Sequence, residues 1–568
     1  MKKDQQTKNN WKQNLVLIAK NTFVWMFQLS EKYNKPIKHL DQIPIEELES
    51  LRSYGLNGLW LIGIWERSPA SKKIKELYGK KNAIASAYSI FNYRITNDLG
   101  GEEAYLKLKI KANNAGLKLG CDMVPNHTGI DSPWVVEHPD WFIQSKQNPS
   151  SVFKYNSPNL SLDPRAKIQI EEGYYTQTGA AEVFQFSNNS SSEKNLYIYH
   201  GNDGTSMPWN DTAQLNYLNE ETRAAVRKVI LDVAGKFDII RLDAAMTLTK
   251  QHYKRLWFPN TGASKFIPTR GNNNMDKSEF DHLMPREFWI DVLENIREKE
   301  PNTLLIAEAF WLMEGFFIQH LGMDRVYNSA FMNLLRDEEN KKFKQCVKDM
   351  IAIDPLYLER LVNYQSTPDE EPAINQFGNK EKYFGICTLL ATMPGLPMFG
   401  HGQFEGYRER YGMDFYQPHF KETPDEKLIS RHKKQIQPLL ESRFRYSSSK
   451  NFKLLDCYFT DGKVNNDVIA YTNQNDAYHS LVIYNNVDKR SDGFIKIHLE
   501  SSENNAIILI DFYKKEEIQI PSSTIKEQKI SVKLSPYECR VYEIRAGFTK
   551  ENQFTNDPGD DKNGQVIV

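Results

Sequence analysis

The chain has 568 residues, 40% of them hydrophobic and 26% charged, with a formal net charge of -1. That balance is ordinary for a folded globular protein, and it excludes nucleic acid or an anionic membrane as a bulk electrostatic partner. At roughly 100–200 residues per domain, the length allows about three to five domains, or one large barrel with attachments.

The N-terminus, MKKDQQTKNNWKQNLVLIAKN, starts basic but has no long apolar core or small-residue cleavage site, so it does not read as a signal peptide. Residues 1–20 are expected to be an N-terminal extension. Short apolar runs then recur along the chain. The first four are NTFVWMFQ (21–28), NGLWLIGIW (57–65), LKLGCDMV (117–124) and FDIIRLDA (237–244). TLLIAEAF (303–310), RVYNS (325–329), LVNYQS (361–366) and MPGLPMFG (393–400) follow. Charge-rich amphipathic segments separate them. PIEELESLRSY (44–54) and NEETRAAVRKVILDVAGK (219–236) both carry acidic residues early, where the helix dipole favours them. Continuous apolar strands alternating with helices indicate a parallel sheet covered on both faces, and eight of them indicate an α/β fold of the (β/α)8 TIM-barrel type.

Two stretches interrupt the alternation. Residues 127–211 are rich in Ser, Asn, Gly and Tyr and read as an inserted subdomain after the third strand. WFPNTGASKFIPTRGNNNMDKSEFDHLMP (257–285) is a second insertion, after the fourth strand. Long loops at the C-terminal ends of barrel strands shape substrate sites. The barrel is therefore expected over 21–126 and 212–440. From 441 to 546 the pattern becomes strands and polar turns, including VIAYTNQ, SLVIYNNV, AIILIDFY and KISVKL, which reads as a C-terminal antiparallel β-sandwich. NNSSS (188–192) reads as a surface loop, and 547–568 as a disordered tail.

No run reads as a membrane span, since the longest, Gly385 to Gly400, is short and contains Pro394 and Pro397. Cys121, Cys346, Cys387, Cys457 and Cys539 are scattered, with no CxxC pair or Cys/His cluster. That argues against a zinc site and fits reduced thiols, so a cytoplasmic location is expected.

Chemistry concentrates at strand ends. Asp243 closes the run FDIIRLDA, and Arg241 lies on the same side of the strand by its period of two. A guanidinium favours the charged form of a neighbouring carboxylate, which suits a nucleophile; a structural ion pair is the plainer reading. Glu308 closes TLLIAEAF among apolar neighbours, where desolvation favours the protonated form and suits a general acid. The plainer reading is a solvated strand-end carboxylate. Retaining glycosidases hold two carboxyls roughly 5–5.5 Å apart, a separation that adjacent strands spaced about 4.7–4.9 Å can supply. Asp369 follows the seventh run in an STPDEEP turn and supplies a third carboxylate to the same rim, or simply an acidic turn. His127 follows the third run and is suited to bonding a sugar hydroxyl or its own loop backbone. Asp122 reads as a loop-fixing residue.

These segments resemble the alpha-amylase family of glycoside hydrolases. DMVPNH (122–127), RLDAA (241–245), AEAF (307–310) and STPD (366–369) are similar to its four ordered segments. WNDTAQLNYLN (209–219), SAYSIFNYRITNDLGG (86–101) and GLPMFGHGQFEG (395–406) are similar to three further ones. The resemblance implies a retaining double displacement with Asp243 as nucleophile, Glu308 as acid/base and Asp369 as transition-state stabiliser. It also implies that Arg241 orients Asp243, while Tyr88 and His127 bind the reacting sugar. The implied partner is an α-glucan or maltooligosaccharide. Oligomeric state is not legible.

Two places depart from the family pattern. Thr367 and Pro368 precede Asp369 where the family has Asn-His, and Met246 and Thr247 stand where it has Lys-His. These departures resemble the branch that transfers maltosyl units from maltose 1-phosphate. Hydrolysis, transglycosylation and an inactive glucan-binding relative therefore stay open. No cofactor is expected. Asn126 alone does not support calcium.

Overall fold

The computed structural model describes residues 10–80, 82–188, 195–205, 207–260, 273–310, 312–475, 477–497, 505–520 and 529–548. The tail beyond 548, most of the NNSSS tract, the first nine residues and the centre of the second insertion (261–272) lie outside the described residues.

Eight parallel strands close into a barrel in chain order. They are β1 (Leu17–Asn21), β2 (Gly58–Ile62), β3 (Lys118–Met123), β4 (Ile239–Leu242), β5 (Leu304–Ala307), β6 (Arg325–Tyr327), β7 (Leu361–Tyr364) and β8 (Leu396–Phe399). Every residue of β2, β4 and β5 is buried, as a sheet covered on both faces requires. Gly58 permits close packing at the barrel base, where an added Cβ would lie 2.7 Å from Leu15 Cδ1.

The first strand departs from the expected position. Residues 22–28 of the apolar run are helix, not strand; β1 ends at Asn21 and lies, but for that residue, in the stretch expected as an N-terminal extension. Thr22–Tyr33 is a helix, α1, because the Asn21 side chain caps it by accepting from Val24 N–H at 3.3 Å. Lys20 disguised the strand. It is 2% exposed, with its Nζ 3.6 Å from Glu405 Oε1. The other seven runs each contain a barrel strand.

Helix α2 (Ile45–Ser53) covers the barrel. Helix α3 (Pro69–Leu77) follows β2 and bonds the insertion, with Ser71 Oγ donating to Asp211 Oδ2 and Lys73 Nζ to Asn159 O. Helix α4 (Glu220–Lys236) again covers the barrel, with α5 (Lys250–Trp257) and α6 (Glu381–Thr392) further on. Acidic residues stand in the first turn of α2 and α4, and Asn219 caps α4 through Glu221 N–H. Between β3 and β4 the chain builds a four-stranded antiparallel sheet from 144–145, 166–170, 183–188 and 196–199. His127–Gly129 pairs with Thr212–Gln214 where this insertion leaves and rejoins the barrel.

The C-terminal strands are β9 (Lys453–Leu455), β10 (Cys457–Phe459), β11 (Val468–Asn475), β12 (Tyr478–Asn485), β13 (Ser491–Lys496), β14 (Asn505–Asp511), β15 (Glu517–Ile520), β16 (Lys529–Leu534) and β17 (Cys539–Phe548). They form sheets of order β9-β11-β12-β17-β14-β15 and β10-β13-β16. Pairing is antiparallel throughout. Leu481 and Ile483 face the sandwich interior, whereas Val482 and Tyr484 join the barrel core. Burial on both faces explains why SLVIY reads as an unbroken apolar run. Among the described residues no helix is long and apolar enough to cross a membrane.

Candidate active site

Strand pairing assembles the mouth. Leu242 of β4 sits opposite Ala307 of β5, so Asp243 and Glu308 emerge side by side where the two strands end. Glu308 N–H donates to Leu242 O at 3.1 Å, and Asp243 N–H to Met123 O at 2.8 Å. Ala244 then turns left-handed, with φ 45°, a conformation that costs a residue with a Cβ roughly 1–2 kcal/mol. Its N–H donates to Glu308 Oε2 at 2.8 Å.

Arg241 links the acids. Its Nη2 lies 2.6 Å from Glu308 Oε1, while Nη1 bonds Asp243 Oδ1 and reaches Asp122 Oδ1 at 3.3 Å. The guanidinium lies 5.5 Å from the ring centroids of Trp60 and Tyr88 and 5.9 Å from that of Tyr327. Trp60 Nε1–H donates to Asp122 Oδ2 at 3.0 Å, and Trp65 Nε1–H to Asp122 O at 2.7 Å.

The electrostatics follow from burying several acids around one base. Burial pushes the Glu308 carboxyl up to about 7; Arg241 opposes the rise, and Asp243 and Asp369 add to it. Asp122 is likewise pushed up to about 7, by burial first, with Arg241 opposing and Asp243 reinforcing. Burial opposes the charge on Arg241, but Glu308 and Asp243 hold it well above the usual guanidinium value.

Asp369 stands on the loop after β7, where its N–H donates to Thr367 Oγ1 at 3.3 Å and its carbonyl accepts from Arg410 Nη1 at 3.2 Å. Its carboxyl is raised by desolvation in the cleft, lowered by Arg241 and raised by Asp243, so it shares the field of the other acids. His127 is buried, which lowers its pKa and favours the neutral ring, and that ring packs 5.0 Å from Trp209. The Tyr88 hydroxyl is buried and has no hydrogen-bond partner among the described residues.

All six residues picked out from the sequence thus converge on one barrel mouth. Trp60, Tyr327, Trp209 and Arg410 were missed. Asp122 was read as fixing a loop, yet it pairs with the central arginine. Register holds the signal, since Asp122 sits opposite Arg241 across β3 and β4. Met246 and Thr247, where the family pattern has Lys-His, are buried.

Asn126 is held by Gln214. Its Nδ2 donates to Gln214 Oε1 at 3.1 Å and its Oδ1 accepts from Gln214 Nε2 at 3.0 Å, so both ends of the amide are engaged. Among the described residues no group of three or more His, Cys, Asp or Glu side chains is arranged to hold a metal ion.

The catalytic-domain profile of alpha-amylase matches residues 40–382, more than half of the chain. The chain belongs to the alpha-amylase family. It is 28% identical over 158 residues to the alpha-amylase SusG of Bacteroides thetaiotaomicron, which is 27% of this chain and 20% of SusG. It is 24% identical over 380 residues to an alpha-glucosidase of Apis mellifera, 64% of this chain and 59% of that enzyme. The chain thus spans less than two thirds of either curated relative. Among solved structures, the maltogenic alpha-amylase AmyB of Thermotoga neapolitana superimposes with a TM-score of 0.61 at 14% identity, covering 94% of this chain and 98% of AmyB. An alpha-amylase of Geobacillus thermoleovorans, complexed with acarbose, gives 0.58 at 14% identity, covering 94% and 98%. At such identities the likeness establishes the fold.

Proposed function

We propose that this alpha-amylase family enzyme is a retaining glycoside hydrolase acting on α-glucosidic bonds of starch- or glycogen-like glucans or maltooligosaccharides. The observation that carries the reading is the single buried guanidinium reaching both Asp243 and Glu308. One guanidinium shared by two carboxyls supports a separation near the roughly 5–5.5 Å of retaining enzymes.

In this reading Asp243 attacks the anomeric carbon while Glu308 gives its proton to the departing glycosidic oxygen. The C–O bond breaks, and a glycosyl ester forms on Asp243. Glu308, now a carboxylate, takes a proton from water, whose oxygen attacks the same carbon and releases Asp243. Asp369 stabilises the cationic ring that develops in both steps. Tyr88 and His127 bind the reacting sugar, and Arg241 orients Asp243. A Glu308 carboxyl near 7 holds a proton to give yet can lose it, as acid and then base catalysis requires.

The barrel, which starts at β1 and resumes after the insertion, carries the acids in this reading, and the insertion 127–211 supplies His127 and Trp209. Cys121, Cys387 and Cys457 are buried and unpaired, which supports a reducing, cytoplasmic setting. The same acids serve transglycosylation if a sugar hydroxyl replaces water. Buried Met246 and Thr247 keep that reading in view, because the family's Lys-His pair is missing there.

Incubation with maltooligosaccharides followed by chromatography tests the reading. Shorter products alone are expected. Longer products would convert it to transfer, and phosphate release from maltose 1-phosphate would identify the maltosyl donor. No change, with glucan still retained on an affinity gel, would reject catalysis altogether.

A further inference from the structure

The loops after β7 and β8 meet through two buried glutamines. Gln365, 0% exposed, follows β7 directly, and Gln403, 4% exposed, lies in the loop after β8. Gln403 Nε2 donates to Gln365 Oε1 at 2.7 Å. Gln403 Oε1 accepts from Gly400 N–H at 2.9 Å, and Gln365 Nε2 donates to Tyr383 O of α6 at 3.2 Å. The two ends set the direction of this chain of bonds. A backbone N–H only donates and a carbonyl only accepts, so each side chain must accept at one end and donate at the other. An amide meets that demand, and a carboxylate does not.

Further bonds hold the pair in place. Cys387 Sγ of α6 donates to Gln365 Oε1 at 2.8 Å, and burial pushes that thiol well up, so it keeps the proton it donates. Tyr383 OH donates to Gln403 O at 3.2 Å, and Gln376 Nε2 to Gln365 O at 3.1 Å. Apolar partners of the same shape would serve stability about as well. A fully bonded polar network instead specifies one arrangement.

What it arranges is the place of Asp369. Gln365 anchors the root of the loop that carries Asp369. Gln403 anchors the loop that carries Arg410, whose Nη1 donates to Asp369 O at 3.2 Å. The loops also run close where they leave their strands, since an added Cβ at Gly400 would lie 2.7 Å from Ser366 Oγ. A shift of one loop is therefore passed to the other.

We propose that Gln365 is a positioning residue for the sugar chemistry: its bond to Gln403 locks the loops after β7 and β8 together and so sets where Asp369 stands in the mouth. It rests on the reading of Asp369 as stabiliser of the developing cation. The test is steady-state kinetics on the full chain with maltoheptaose, as rates per folded molecule. Gln365→Met keeps the length of the side chain and removes its donor and acceptor. It should lower kcat roughly 10–100-fold, the loss that a misplacement of about 1 Å causes. KM should stay within about twofold, because the contribution of Asp369 is made in the transition state. Gln403→Met severs the same bond from the second loop and carries the test where Gln365→Met does not fold. It should match the fall in kcat, and the two substitutions together should add little to either.

Asp369→Asn supplies the decisive background. There Gln365→Met should change kcat by less than about twofold, since the carboxylate it places is already gone. Packing damage would lower the rate equally in both backgrounds, and that result overturns the proposal. So does an unchanged kcat in both methionine variants. Asp369→Asn also separates this proposal from the reading it rests on. A rate near wild type in Asp369→Asn alone rejects the role given to Asp369, and the positioning role with it. A severe loss there beside an unchanged Gln365→Met rejects the positioning role only.

Discussion

The barrel mouth and the sandwich interior solve opposite problems. In the sandwich, Leu481, Ile483, Ile495 and Leu509 are each 0% exposed and pack as aliphatic side chains across two sheets. Each such side chain contributes about 1.5–3 kcal/mol on leaving water, so folding alone accounts for the arrangement. At the mouth, Asp122, Asp243 and Glu308 are no more than 9% exposed and share one arginine. Buried carboxylates in excess of their partner oppose folding, as the raised proton affinities of Asp122 and Glu308 record. The sandwich is shaped by stability. The mouth holds charges that stability does not ask for, and perturbed acids of that kind mark a working site.

Substitutions can break this contrast if it is wrong. Asp243→Ala should reduce turnover by more than about 10⁴-fold, beyond the upper end of acid–base assistance, because the proposed covalent intermediate could not form. The thermal midpoint should stay the same or rise, since a buried acid is removed. A rate near wild type would reject Asp243 as the nucleophile. Glu308→Gln should cost about 10²–10⁴-fold, with a change in pH dependence that a packing defect would not give. If Glu308 is the general acid, as proposed, kcat/KM of the wild type should fall as pH rises through about 7, where its carboxyl loses the proton. That alkaline limb should flatten in Glu308→Gln, as initial rates across the pH range would reveal.

Gly385→Ala probes the other side of the contrast, where the sandwich docks on the barrel. An added Cβ in α6 would lie 2.1 Å from Tyr484 Cε2. The ring cannot swing aside freely, because it is 0% exposed and its hydroxyl bonds Asn486 Oδ1 at 2.9 Å. Overpacking of this kind costs about 1–3 kcal/mol. The thermal midpoint should drop while the rate per folded molecule and its pH profile stay put. A shifted pH profile would show that the two regions are coupled.

Much of this was legible because it is local. Apolar runs mark seven barrel strands, and the acid near the end of each of two runs stands at the mouth. Burial of SLVIY on both faces also follows from its composition. What escaped depends on distant partners. β1 was hidden because Lys20 is buried against Glu405, which no local pattern announces. Trp60 looked like ordinary core in WLIGIW, because its Nε1–H finds Asp122 sixty-two residues away. Tyr327 and Trp209 reach the site from β6 and from the insertion, and nothing in their neighbours marks them as different from packing aromatics.

Trp60→Phe gives the smallest effect and the sharpest reading of the mouth. It keeps an aromatic ring near Arg241 but removes the donor to Asp122 Oδ2. That bond favours the ionised carboxylate, and its loss should cost about 0.5–1.5 kcal/mol where Asp122 is charged. The Asp122 carboxyl is raised from its ordinary value to about 7 in the fold, so between those limits the folded state holds the extra proton and stability declines as pH rises. Without the Trp60 donor the carboxyl rises further. The variant's deficit should therefore appear above pH 7 and shrink below it, where Asp122 is protonated in both proteins. Denaturation midpoints on either side of neutrality measure it. An equal deficit at both pH values would mean that Trp60 acts by packing alone, and that Asp122 belongs with the aliphatic core rather than with the acids.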